Sequence, residues 1–204
     1  RQMCIRDRTR RFFNPVYIRP EDIREVAYLS GPERSLVTWA SENVKKMSLE
    51  NELIERDAAW KAKREALDVI FAAGRSQARQ RDFDRFREME GQGLEDFALW
   101  CALVEKYGDE FPDQLRDINS PHVARERREL ADRVDFWAWL QWVMDEQLSR
   151  AQNESRAAGM RIGVSHDLAV GVHPKGADVW MLPDAFARGI GVGAVSYTHL
   201  RAHE

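Results

Sequence analysis

The residues best placed to do chemistry lie late in the chain. Met160-Arg161-Ile162-Gly163-Val164-Ser165-His166-Asp167-Leu168-Ala169-Val170 reads as a short β-type run carrying a polar pair. An acid at the C-terminal edge of a strand is how an α/β barrel presents carboxylates to its active face, so Asp167 is the foremost candidate. His166 and His173 flank it, but their separation suits no common metal motif, and hydrogen-bonded structural histidines are the competing reading. Trp137, Trp139 and Trp142 fall too close together on one helix to face one way. They form either a sugar-stacking platform or buried packing on two sides of that helix. Cys101 lies on an apolar stripe and reads as a small core residue.

Other chemistries are missing. There is no Gly-x-Gly-x-x-Gly or P-loop run, and Gly189-Ile190-Gly191-Val192-Gly193 lacks the flanking pattern. Neither Cys-x-x-Cys nor a Gly-x-Ser-x-Gly nucleophile elbow occurs. His199 and His203 have i,i+4 spacing but lack the Glu beside the first His and the third ligand of a zinc protease. No metal and no cofactor are expected.

The elements that must position these residues belong to a chain of 204 residues, one ordinary domain or a piece of a larger one. Lys and Arg number 31 against 34 Asp and Glu, a net charge of −3, which argues against nucleic-acid binding through bulk positive charge. Seven Trp and nine Phe supply large side chains for burial, which argues against disorder. No apolar run approaches the roughly 20 residues of a membrane helix, and no N-terminal segment has a signal-peptide core. Cys4 and Cys101 cannot make a disulfide framework. The expectation is a soluble, helix-rich, cytoplasmic chain with no nucleic-acid or membrane partner.

Both ends stand apart. The opening Arg1-Gln2-Met3-Cys4-Ile5-Arg6-Asp7-Arg8 and the closing Val195-Ser196-Tyr197-Thr198-His199-Leu200-Arg201-Ala202-His203-Glu204 resemble translated sequencing adapters. Residues 1–8 and 195–204 are therefore set aside from fold reasoning.

Between them, Pro15 pushes Asn14 out of helical space, Pro20-Glu21-Asp22-Ile23 reads as a helix start, and Gly31-Pro32 as a break. Asp57 can cap a helix through Ala59, Ala62, Ala66, Ile70 and Ala73 that ends at Gly74. Arg79 to Glu90 is charge-dense and predicts a surface helix, with Phe83, Phe86 and Met89 as its apolar line. Leu94, Phe97, Cys101 and Val104 predict a helix that Gly108 stops. The strongest helix runs from about Asp132 to Ala158, closed by Gly159. A long helix, a Gly and then a strand is one step of an α/β alternation.

As a block, residues Gly163 to Trp180 resemble a signature of the 4-α-glucanotransferases, the amylomaltases or disproportionating enzymes of glycoside hydrolase family 77. The family pattern is an Asp-Leu/Met-Ala/Pro strand end, here Asp167-Leu168-Ala169, a short loop, then Gly/Ser-Ala-Asp/Glu-x-Trp, here Gly176-Ala177-Asp178-Val179-Trp180. Gly191-Val192-Gly193-Ala194 resembles the Val-Gly-Ala before the family's Pro-Pro-Asp. Arg10-Arg11-Phe12-Phe13-Asn14-Pro15-Val16-Tyr17-Ile18 resembles the segment after the second barrel strand, and Phe136 to Gln147 the helix leading into the third.

The resemblance implies an α/β fold: a fragment of a (β/α)8 TIM barrel, mostly an inserted helical subdomain plus the segment around the third barrel strand. Residues 9–40 would follow the second strand, 41–131 would be the inserted subdomain, and 132–194 the long helix, third strand and loop. It implies transfer of α-1,4-glucan segments between maltooligosaccharides without a cofactor, through a retaining mechanism needing a carboxylate nucleophile and an acid/base. The family's nucleophile lies in Arg-Ile-Asp-His, its acid/base in Glu-Asp-Leu-Gly and a third Asp in Thr-His-Asp. None of these runs occurs here, so the catalytic carboxylates are expected beyond this stretch. By the same resemblance Asp167 would line the donor subsite, or else fix its loop. Trp180 would stack on a sugar ring, or else pack beneath the loop. The alternative is a non-catalytic, helix-rich module that binds glucan or a protein through a Trp-rich surface.

Overall fold

The structure, a computed structural model, describes residues 9–50, 56–108, 110–166 and 171–186. The helices are α1 (Gly31–Glu50), α2 (Arg56–Ala72), α3 (Gln77–Glu90), α4 (Gln92–Tyr107), α5 (Pro121–Glu129), α6 (Ala131–Ala157) and α7 (Ala177–Met181). Short 3₁₀ turns cover Pro15–Tyr17, Pro20–Asp22, Arg24–Tyr28, Asp113–Leu115 and Pro183–Ala185. Among the described residues there is no β-strand, and no helix is long and apolar enough to cross a membrane.

Local chemistry explains most boundaries. Gly31-Pro32 starts a helix rather than breaking one, because Glu33 in the first turn of α1 reaches back to Ser30 just before it. The Glu33 carboxylate accepts from both the Ser30 amide (2.8 Å) and its hydroxyl (2.7 Å), which holds that carboxyl below its usual pKa range. Gly108 ends α4 at φ +78°, its N–H donating to Val104 O. Gly159 ends α6 at φ +96° in a Schellman arrangement, with Gly159 N donating to Arg156 O and Met160 N to Ser155 O.

The chain forms two compact units. The first comprises residues 1–13, 90–138 and 149–204, the second residues 14–89 and 139–148. In the first, α4 is buried around its whole circumference from Phe97 to Leu103, and α7 packs on it. Cys101 lies in that buried run. Glu126 on α5 is 3% exposed and accepts from Lys106 Nζ (2.8 Å) and Tyr107 Oη (2.8 Å). Burial pushes its pKa up, but the Lys106 and Tyr107 hydrogen bonds outweigh this and hold it below the usual range, while Lys106 is raised. A depressed carboxyl contributes stability above its unfolded pKa and loses it as pH falls through the folded value. The stability gap between the native chain and Glu126→Gln is therefore expected to be full at about pH 7, above the ordinary glutamate range, and smaller at about pH 3, below it. Urea midpoints at the two pH values check it, and a gap that widens in acid would contradict it.

In the second unit, α1 packs on α2. The helix predicted as a surface element is one, exposing most of its residues and burying a single face, though that face includes an arginine and not Met89. In α3, Arg79 (7% exposed), Phe83 and Phe86 are buried, while Met89 is 72% exposed. A buried guanidinium is tolerable only because it is paired: Arg79 Nε donates to Glu25 Oε1 (2.7 Å) and Nη2 to Glu146 Oε2 (2.7 Å). The guanidinium also lies 3.9 Å from the Trp142 ring centroid. Trp139 is fully buried, tilted against Phe71 at 5.4 Å, and Trp142 packs on Phe83 at 5.4 Å. In α6, Gln147 exchanges two hydrogen bonds with one residue, accepting from Arg19 N and donating to Arg19 O, both 2.9 Å.

The strand expected over Met160–Val170 is not formed over residues 160–166. Residues 160–166 form bends and irregular backbone, and residues 167–170 lie outside the described residues. A strand exists only against a neighbour, and the described residues provide none for this segment.

Candidate functional site

The segment singled out by sequence belongs to the first unit. Asp167 itself lies outside the described residues, so the site is built from what flanks it.

On the N-terminal side, Gln152 of α6 holds residues 162–164. Its Nε2 donates to Ile162 O (3.0 Å) and its Oε1 accepts from Val164 N (2.7 Å). Gly163 between them has φ +86°, which favours glycine. His166 rests near the Phe13 ring, centroids 6.4 Å apart.

On the C-terminal side, the turn at 173–176 closes by Gly176 N donating to His173 O (2.8 Å), and His173 Nδ1 accepts from Lys175 N (3.1 Å). His173 thus serves the turn. Lys175 Nζ pairs with Glu110 at 2.6 Å, which holds the Glu110 carboxyl below its usual range. Asp178, in the first turn of α7, is 6% exposed and takes two donors, Thr9 Oγ1 on Oδ1 and Arg10 N on Oδ2, each at 2.7 Å. Thr9 Oγ1 in turn accepts from Arg11 N (3.0 Å) and Phe12 N (3.3 Å), and Phe12 stacks on Phe97 of α4 at 4.4 Å.

Trp180 is 8% exposed. Its Nε1 donates to Leu115 O (2.9 Å) and Phe111 meets its ring edge-on at 6.3 Å. Its indole is thus engaged within the protein. Trp137 is buried too, with Nε1 donating to Glu105 (3.0 Å), so all three tryptophans of α6 serve packing. No Trp-rich surface remains on that helix for the non-catalytic alternative. Among the described residues, no group of three or more His, Cys, Asp or Glu could hold a metal ion.

Sequence reasoning assigned no role to Asp178 or Gln152. Asp178 carried a signal, an acid in the first turn after Gly176. Gln152 carried none, since a glutamine on a polar helix end looks like solvated surface.

Comparison with known proteins addresses identity. The chain is 46% identical over 189 residues to the 4-alpha-glucanotransferase of Mycobacterium tuberculosis, covering 91% of this chain and 26% of that protein. It is 32% identical over 131 residues to the 4-alpha-glucanotransferase of Thermus thermophilus, covering 62% of this chain and 26% of that protein. The crystal structure of amylomaltase from Corynebacterium glutamicum matches with a TM-score of 0.73 and 41% identity, covering 87% of this chain and 24% of that one. The chain thus spans about a quarter of the length of these relatives. With the family model described as 4-alpha-glucanotransferase matching residues 6–196, the chain belongs to that family, glycoside hydrolase family 77.

Proposed function

We propose that the chain is an internal piece of a 4-α-glucanotransferase that transfers α-1,4-glucan segments between maltooligosaccharides by a retaining, cofactor-independent mechanism. The observation that carries this reading is the family match from residue 6 to residue 196. In the whole enzyme these residues form part of a (β/α)8 barrel in the cytoplasm. Residues 9–40 follow the second strand, 41–131 are the inserted helical subdomain, and 132–194 hold the long helix, third strand and loop. Asp167 accepts hydrogen bonds from sugar hydroxyls of the donor glucan. Trp180, packed under Leu115 and Phe111, braces the loop from below and gives it a firm seat against the sugar. The nucleophile and acid/base belong to the longer chain, where two carboxyl groups divide the reaction into formation and resolution of a glycosyl-enzyme.

One experiment tests this. A long read of the source DNA across the codons for residues 190–204 is expected to continue Ala194 into Pro-Pro-Asp and later Arg-Ile-Asp-His. The protein made from that frame is expected to release glucose from maltotriose, and the 204-residue chain to release none. Glucose from the short chain, or a genuine stop after Glu204, would overturn the reading.

A further inference from the structure

Phe13 and His166 come from segments far apart in sequence, and the first unit brings their rings together. The centroids lie 6.4 Å apart with the planes inclined at 53°. Neighbouring phenylalanines take opposite parts here. Phe12 stacks on Phe97 of α4, whereas Phe13 is 42% exposed, and His166 is exposed as well.

Both rings project from backbone that side chains already hold. Before Phe13, the Asp178 carboxylate accepts from the Thr9 hydroxyl and the Arg10 amide, and Thr9 Oγ1 accepts from the amides of Arg11 and Phe12. Before His166, the Gln152 side chain bonds to Ile162 O and Val164 N. A ligand that seats on the pair therefore has little backbone freedom left to freeze, which favours binding.

The chemistry of the pair narrows the ligand. A phenyl face is flat and apolar, and an imidazole brings a ring N–H donor and a ring nitrogen acceptor. A pyranose ring answers to both, with C–H bonds on its face and hydroxyls around its rim.

We propose that Phe13 and His166 form a sugar-binding edge, with one glucose unit of a maltooligosaccharide stacked on the Phe13 ring and one of its hydroxyls bonded by His166. This rests on the reading that the longer enzyme acts on α-1,4-glucan. Asp167 has no part in it.

The test uses the enzyme made from the extended frame, with maltotriose as substrate. Phe13→Ala is expected to raise KM about fivefold to tenfold and leave kcat within about twofold, the size of one lost ring contact. Two further variants separate stacking from bulk. Phe13→Tyr keeps the flat ring and is expected to hold KM within about twofold of native. Phe13→Leu keeps apolar volume without the flat face, so its KM is expected to rise as in the alanine variant. His166→Ala is expected to raise KM about threefold, one neutral hydrogen bond, and it decides alone if Phe13→Ala does not fold.

Unchanged KM in Phe13→Ala and His166→Ala would overturn the proposal. So would a leucine variant with native KM, since that means Phe13 serves packing within the longer chain. A native extended enzyme that transfers no glucan is a different result: it overturns the functional reading and this edge with it, whereas an active enzyme with unmoved KM overturns the edge alone.

Discussion

Arg79→Met is expected to destabilise the unit of residues 14–89 and 139–148 by about 3–5 kcal/mol, the size of effect seen when one partner of a buried ion pair is removed. Methionine keeps most of the volume but strips the positive charge from between Glu25, which is 1% exposed, and Glu146. Glu25 then loses a charge-assisted hydrogen bond in a site water does not reach, and Trp142 loses the cation on its face. Arg79→Lys is expected to fall between, because an ammonium keeps the charge but cannot bridge two carboxylates as a planar fork. The decisive comparison is Arg79→Met combined with Glu25→Gln and Glu146→Gln. Removing all three charges leaves nothing uncompensated, so the triple variant should recover much of the loss. Urea midpoints followed by tryptophan fluorescence measure each step. An Arg79→Met midpoint within about 0.5 kcal/mol of the native chain would sink the account.

That cluster marks the limit of what local sequence reveals. The charge density of α3 is plain in Gln77–Glu90, but Arg79 is buried because Glu25 and Glu146, far away in sequence, meet it. No window around residue 79 carries that information. Helix ends were legible because their causes are local: Gly108 and Gly159 supply positive φ where the sequence places glycine after a periodic run. Gly31-Pro32 misled because the same dipeptide serves a break or a helix start, and the Ser30–Glu33 capping pair decides which. The run at 160–164 shows the converse. Its alternation of Met160, Ile162 and Val164 is readable, but no strand forms there: Gly163 takes φ +86° and the backbone on either side of it bonds to the Gln152 side chain of α6. At the candidate site, Asp167 was singled out through a family pattern but lies outside the described residues, while the same pattern carried the motif containing Asp178 and Trp180. What those two do was not legible, because Thr9 and Leu115 reach them from distant parts of the chain.

Asp178→Ala is expected to cost about 2–4 kcal/mol in the first unit, from losing two hydrogen bonds to a buried carboxylate and stranding their donors. The argument runs through Thr9. Its hydroxyl donates to Asp178 Oδ1 and accepts from the amides of Arg11 and Phe12, so the carboxylate orients one oxygen that organises the next turn of backbone. That turn seats Phe12 against Phe97 on α4, and the Arg11 guanidinium lies against Gly93. Asp178→Asn tests the geometry more finely than alanine. One carboxamide oxygen can still serve one donor, but its NH2 must face the other, so the variant should lose more than one neutral bond yet remain milder than alanine. Thr9→Val should cost less than Asp178→Ala, and the two together less than their sum, because both cut the same connection. Additive losses would mean that Thr9 and Asp178 act separately and that the pin is not a unit. In the extended enzyme the same substitution loosens the loop eleven residues after Asp167, so maltotriose turnover is expected to fall through KM before heat inactivation sets in. A variant with native KM and a lowered melting temperature would confine Asp178 to holding the fold.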